Sequence, residues 1–192
     1  MTRFVFLILA VCRCAAAVEL HVQFGALERM LTEQVFSQEG RRYVHGSKTN
    51  KCNFAYLEKP LVRGEGGRLY MKARFTGRSA LNVVGQCVGL GDAFDVVITA
   101  MPVYRKGAIG LQEVKVASGD KSGYYIRKVC EAMQASLVKE FSYPLETEAQ
   151  KMLEAPGLPV GYKREARKFS VPEIRVTNDA LVLQVDFELT VK

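Results

Sequence analysis

The chain has 192 residues, 48% of them hydrophobic, and a formal charge of +7. That is the size of one ordinary domain with enough apolar material for a packed core, which excludes a disordered chain. The excess of Lys and Arg favours anionic partners such as membrane headgroups, though only modestly.

Residues 1–17 read as a secretory signal peptide. Arg3 supplies the charged start, Phe4 to Cys12 is an apolar run too short to span a bilayer, and Ala15 to Ala17 offers small residues for cleavage after Ala17. An uncleaved membrane anchor fits less well because the run is short. Lipidation at Cys12 fits less well because Val11 stands where a lipobox wants a small residue. Secretion, most simply into a periplasm, is therefore expected. Cleavage leaves 25 basic against 20 acidic residues, a balance of +5. Residues 18–192 are expected to form a single soluble domain.

Val18 to Val22 alternates as a short strand, and Phe24 to Phe36 reads as a helix with Leu27, Met30, Leu31 and Val35 on one side. Tyr43 to His45 begins another strand. Cys52 to Val62 is a strand broken by Pro60, hence an edge or a bulged one. Gly64 to Gly67 is a hairpin turn. Arg68 to Thr76 alternates most clearly, with Leu69, Met71, Ala73 and Phe75 on one face. Gly85, Gly89 and Gly91 mark a turn region. Asp92 to Val103 is a strand with Phe94, Val96, Ile98 and Ala100 inward, and Arg105 to Gly107 turns into a return strand, Ala108 to Ala117. A phase shift from Ile109 and Leu111 to Val114 and Val116 predicts a β-bulge.

Lys121 to Glu154 carries the longest helical pattern. Ile126, Val129, Cys130, Met133, Leu137, Val138 and Phe141 recur at three- and four-residue spacing. Pro144 predicts a kink or break, with a second helical piece to Leu153. The first piece would be about 30 Å long, opened by a cap at Asp120 or Ser122. Ala155 to Pro159 is a stiff connector, and the basic stretch Lys163 to Lys168 reads as a solvated loop. Val171 to Val176 and Leu181 to Val191 form a last hairpin around Asn178-Asp179. The fold class expected is α+β: a single meandering antiparallel sheet, strongly curved and wrapped around a long helix, plus a shorter N-terminal helix.

No reaction is named by the residues. The two histidines, His21 and His45, have no partners at ligand or helix spacing. The glycine clusters lack the Lys and Ser/Thr of a phosphate loop. The expectation is a non-catalytic protein without metal or cofactor. Secretion argues against nucleic acid as a partner. Of Cys52, Cys87 and Cys130, the favoured pair is Cys52 with Cys87, leaving Cys130 as a buried thiol on the helix; three unpaired cysteines is the alternative.

The apolar stripes read either as core or as the wall of a groove. The groove candidates on the strands are Leu69, Met71, Phe75, Phe94, Ile98, Leu183 and Phe187. Those on the helix are Val129, Met133 and Leu137. In layout the chain resembles the tubular lipid-binding (TULIP) superfamily, and within it the small single-domain proteins of bacterial envelopes. The likeness is carried by Leu20 to Phe36, the strands Arg68 to Thr76 and Asp92 to Ala117, the helix Tyr124 to Leu153, and Leu181 to Val191. It lies in the order of elements, without a signature motif. It implies binding of a lipid or other hydrophobic molecule in an internal groove. The competing expectation is an envelope structural or protein-interaction module with a closed core.

Overall fold

The computed structural model describes residues 18–155 and 163–192. The expected signal peptide and most of the connector Ala155 to Pro159 lie outside the described residues. The elements run β1 (Val18–Gln23), α1 (Phe24–Met30), a π-helical turn (Leu31–Val35), β2 (Arg41–His45), β3 (Asn53–Glu65), β4 (Arg68–Val83), β5 (Gln86–Arg105) and β6 (Ala108–Ser118). They continue as α2 (Tyr124–Glu140), α3 (Leu145–Glu154), β7 (Arg164–Val176) and β8 (Ala180–Val191).

The protein is α+β and dominated by antiparallel strands, but the single sheet expected is two. Strands β2-β3-β4-β5-β6 form a five-stranded meander that curls into a half-barrel, and β1-β8-β7 form a separate three-stranded sheet. Three hairpins of the meander turn through two residues with positive φ: Gly66-Gly67, Val84-Gly85 and Lys106-Gly107. That is the turn whose twist matches the strands it joins. Pro60 falls in a bulge between Glu58 and Leu61, where Lys59 takes φ 55°. The expected bulge in β6 is present too, between Gln112 and Lys115, with Glu113 at φ 49°. Arg68 holds it by donating to the Glu113 carboxylate at 2.8 Å and to its carbonyl at 2.9 Å.

The long helix is the main correction. Its pattern is divided into α2, 17 residues, and α3, 10 residues. Pro144 has no N–H to continue the ladder, and the segment before it is diverted sideways. Tyr143 and Ile109 exchange both backbone hydrogen bonds, at 2.8 and 2.9 Å, and Glu146 N–H donates to Gly107 at 2.9 Å. A strand-like bridge to β6 and its turn thus fixes the break. Neither Asp120 nor Ser122 caps α2; its N-cap is Gly123. The N-terminal helix is also divided. After Met30 it widens into a π turn, closed by Phe36 N–H to the Leu31 carbonyl at 2.8 Å.

Two smaller corrections concern strands. The glycines after Gly85 do not interrupt pairing: β4 and β5 stay in register from Leu69↔Ala100 out to Val83↔Gln86. The basic stretch expected as a loop lies in β7, where Arg167 pairs with Glu165 and Lys168 with Glu188.

The apolar residues gather in two clusters. The first holds Leu57, Phe75, Phe94, Val96, Ile98 and Val114 from the meander, joined by Phe36 from the end of the π turn and closed by Ile126 and Cys130 of α2. The second holds Phe24, Val62, Val171, Leu181, Leu183 and Val185. Leu31 and Met71 border both and join them.

Candidate functional site

α2 closes the inward cluster of the meander, and all three described α-helices also reach strand N–H groups that no neighbouring strand takes. A free edge presents N–H groups that need partners. Here a side chain of each helix supplies one. Glu28 of α1 accepts from Val62 N–H at 2.6 Å, Gln134 of α2 from Val116 N–H at 3.3 Å, and a Glu154 oxygen of α3 from Ala166 N–H at 3.1 Å. The first lies where β3 has run past its pairing with β2. The second and third lie on the edge strands β6 and β7.

Running alongside β6, α2 covers the first apolar cluster unevenly. Its apolar row starts sealed and ends open: Ile126 and Cys130 are each 6% exposed, Met133 and Leu137 are half-buried, and Phe141, just past the helix, is 43% exposed. Val129 is also half-buried, and Leu111, Val116 and Met71 beneath are only partly covered. The result is an apolar seam between helix and sheet that widens toward the α2 C-terminus.

The candidate residues divide accordingly. Phe75, Phe94 and Ile98 are interior packing of the first cluster, with the two rings 4.9 Å apart. Leu183 is interior to the second cluster, where Leu69 and Phe187 pack as partly buried neighbours. Met71 stands between the clusters, and Val129, Met133 and Leu137 form the seam. The structure therefore groups these residues in two places.

The outer face of the meander, and the rim of β5 where the β6–α2 loop meets it, are charged. Asp95 takes Arg74 at 2.9 Å and Lys72 at 2.7 Å; Arg74 also reaches Asp120 at 3.0 Å, and Lys121 reaches Asp92 at 2.5 Å. Hydrogen bonds from Lys72 and Arg74 hold the Asp95 carboxyl below its ordinary range. Asp120 is held down first by the backbone N–H of Asp95, which it accepts at 2.8 Å. This lattice pins the β6–α2 loop to β5 and so sets where α2 begins.

His21 is exposed beside Glu19, and His45 is exposed at the end of β2. Among the described residues, no group of His, Cys, Asp and Glu could hold a metal ion. Cys52 and Cys87 form a disulfide, while Cys130 is a buried free thiol whose pKa burial pushes up. No helix of the described residues is long and apolar enough to cross a membrane.

One surface went unread in the sequence: the end of the β4–β5 hairpin. Leu81, Val84 and Leu90 are 77%, 99% and 74% exposed. The signal was there in the alternation Leu81, Val83 and Val88, Leu90 about Val84-Gly85, but the nearby glycines read as a turn region. Behind it, a depression of about 390 Å³ lies between the hairpin and the loop before β3, lined by residues such as Lys51, Asn53 and Leu81.

No family model matches the chain, and no curated protein matches it.

Proposed function

We propose that the protein is a non-catalytic binder of lipid-like or other hydrophobic molecules, exported to the periplasm by its N-terminal segment. The observation that supports this best is the unsealed seam between α2 and β6. An apolar row that passes from 6% to 43% exposure leaves hydrocarbon in water, a state that a ligand's apolar chain would relieve at about 0.8 kcal/mol per methylene buried. Met71, Val129, Met133 and Leu137 would meet the chain. Phe75, Phe94 and Ile98 would form the floor beneath it. This reading agrees with the TULIP-like layout of the sequence, in which lipid is bound without chemistry.

A second reading is an envelope interaction module. The tight Phe75–Phe94 packing, with Phe94 fully buried, favours it, because a filled centre leaves the seam as a surface for another protein.

Native mass spectrometry of protein purified from the periplasm, followed by solvent extraction, separates the two. The expected result is bound mass that extracts as lipid, and uptake of a fluorescent fatty acid that falls at least tenfold in Met133→Asp/Leu137→Asp. A bare polypeptide mass with no probe uptake would overturn the binding reading in favour of the module.

A further inference from the structure

The β4–β5 hairpin outruns the core. From the Gly77↔Asp92 pair to the turn, its strands stay hydrogen-bonded while projecting about 20 Å at ~3.3 Å per residue. Side chains alternate along a strand. The inward row of β4, Ala73 and Phe75, therefore continues outward as Leu81 and Val83. The inward row of β5, Val96 and Phe94, continues as Leu90 and Val88. Phe75 and Phe94 are 2% and 0% exposed; Leu81 is 77%, Val88 60% and Leu90 74%. Gly77, Ser79 and Asp92 interrupt these rows at the rim of the core, and beyond them the face turns apolar again where nothing covers it.

This face is held in place. On the hairpin's reverse side, Cys87 is joined to Cys52 in the loop before β3. At the apex, Val84 takes φ 49° and is 99% exposed, with Gly85 at φ 80°. A β-branched residue is disfavoured there, where Asn or Gly would be unstrained. An apolar side chain at the apex is kept at a conformational cost, the kind of outlier that points to a role. The turn is otherwise satisfied, since Asn82 Oδ1 accepts from Gly85 N–H at 2.9 Å.

The acids nearest the projection, Asp92 at its base and Glu39 by the cross-linked loop, are paired with Lys121 and Lys48. Residues 66–91 contain no Asp or Glu, and Arg78 stands at the base of the projection. The cross-linked loop adds Lys48 and Lys51, of which Lys48 is paired with Glu39.

We propose that this hairpin is where the protein docks on an anionic lipid bilayer. Val84 leads into the boundary between headgroups and acyl chains, Leu81, Val83, Val88 and Leu90 follow on one face, and Arg78 and Lys51 meet the headgroups. A bilayer accepts an apolar point of any shape, whereas a protein partner would need a matching hollow. Paired backbone is what hydrocarbon tolerates, and apolar area combined with basic charge is what sets interfacial binding. A second copy would bring its own basic rim against this one. The proposal does not depend on the α2–β6 seam holding a ligand.

The test is flotation of the oxidised protein with vesicles of phosphatidylcholine alone and of phosphatidylcholine with phosphatidylglycerol at 7:3. The expected result is binding to the anionic vesicles that weakens about fivefold in each of Lys51→Gln and Arg78→Gln. Val84→Asn should weaken it about tenfold, while melting no lower than the parent because Asn accepts this backbone. Fatty-acid uptake, measured in parallel, should be unchanged by Val84→Asn, so loss of either property is read separately. Absence of vesicle binding, or undiminished binding by Val84→Asn, would overturn the proposal. So would a concentration-dependent dimer dispersed by Val84→Asn, which would assign the face to a second copy.

Discussion

Gly64 lies against Thr177 so closely that a Cβ on Gly64 would stand 1.7 Å from the Thr177 carbonyl oxygen. Gly64 belongs to β3 and Thr177 to the turn between β7 and β8, so this is a junction of the two sheets. The two nearest neighbours are backbone atoms of Thr177, and the third is the stiff β-branched Val176 side chain at 3.0 Å. Gly64→Ala must therefore part the sheets locally. A loss of about 3 kcal/mol is expected, at the upper end of overpacking costs. Urea unfolding checks it: a midpoint unchanged by the substitution would mean that the junction yields freely.

Glu28 makes the corresponding polar link, from α1 to the Val62 N–H at 2.6 Å. Removing the acceptor leaves a part-buried donor unmet. Glu28→Ala should cost about 1–3 kcal/mol. Glu28→Gln keeps an acceptor oxygen and should recover most of that. Equal losses in both variants would show that charge, not hydrogen bonding, matters there.

The disulfide closes a loop with a sequence separation of 35 residues. Cys52→Ser/Cys87→Ser should lower stability by about 3–4 kcal/mol on the chain-entropy account. Among the described residues of the parent, a thiol reagent should find Cys130 alone, and only on unfolding, since burial both hides that thiol and raises its pKa. Rapid labelling of the folded protein would contradict the burial.

Acid should weaken the fold in a defined window. The Glu165 carboxyl is lowered from 4.5 to about 2, first by hydrogen bonds from Arg167 and then by one from Lys192. Asp92, Asp95 and Asp120 are lowered as well. A carboxylate with a depressed folded pKa stabilises above its unfolded value, and that contribution is lost as pH falls through the folded one. Melting temperature should thus decline from about pH 5 toward pH 2. Glu165→Gln should flatten part of that decline, and added salt should flatten it further because these pairs are exposed. An acid limb identical in parent and variant would remove Glu165 from the account.

Much of the meander was legible because its signals are local. The alternation of Arg68 to Thr76, the turn at Gly66-Gly67 and the phase shift around Glu113 all concern neighbours in sequence. The favoured Cys52–Cys87 pair is also the one formed. What failed was long-range. Leu181 to Val191 alternates like a partner for the meander, but β8 pairs with β1 and β7. No periodicity says which strand lies beside which. Pro144 marked the helix break, but not that Tyr143 would pair with Ile109. In the candidate groove, spacing found the apolar residues yet could not separate the buried Phe94 from the half-open Met133, since both fit an inward row.

The pairing of β1 with β8, from Val18↔Val185 to Gln23↔Ala180, has a consequence for how the protein is made. The meander is built from successive hairpins and can form as the chain emerges. The smaller sheet cannot: β1 is among the first described segments synthesised and its partner among the last. Closing a loop of that length is entropically costly and slow. Until β8 arrives, Val22 and Phe24 lack the Leu181, Leu183 and Val185 side of their cluster. The incomplete chain would thus present a sticky leading segment, and a holdase chaperone that shields residues 18–31 would guard against aggregation in that interval.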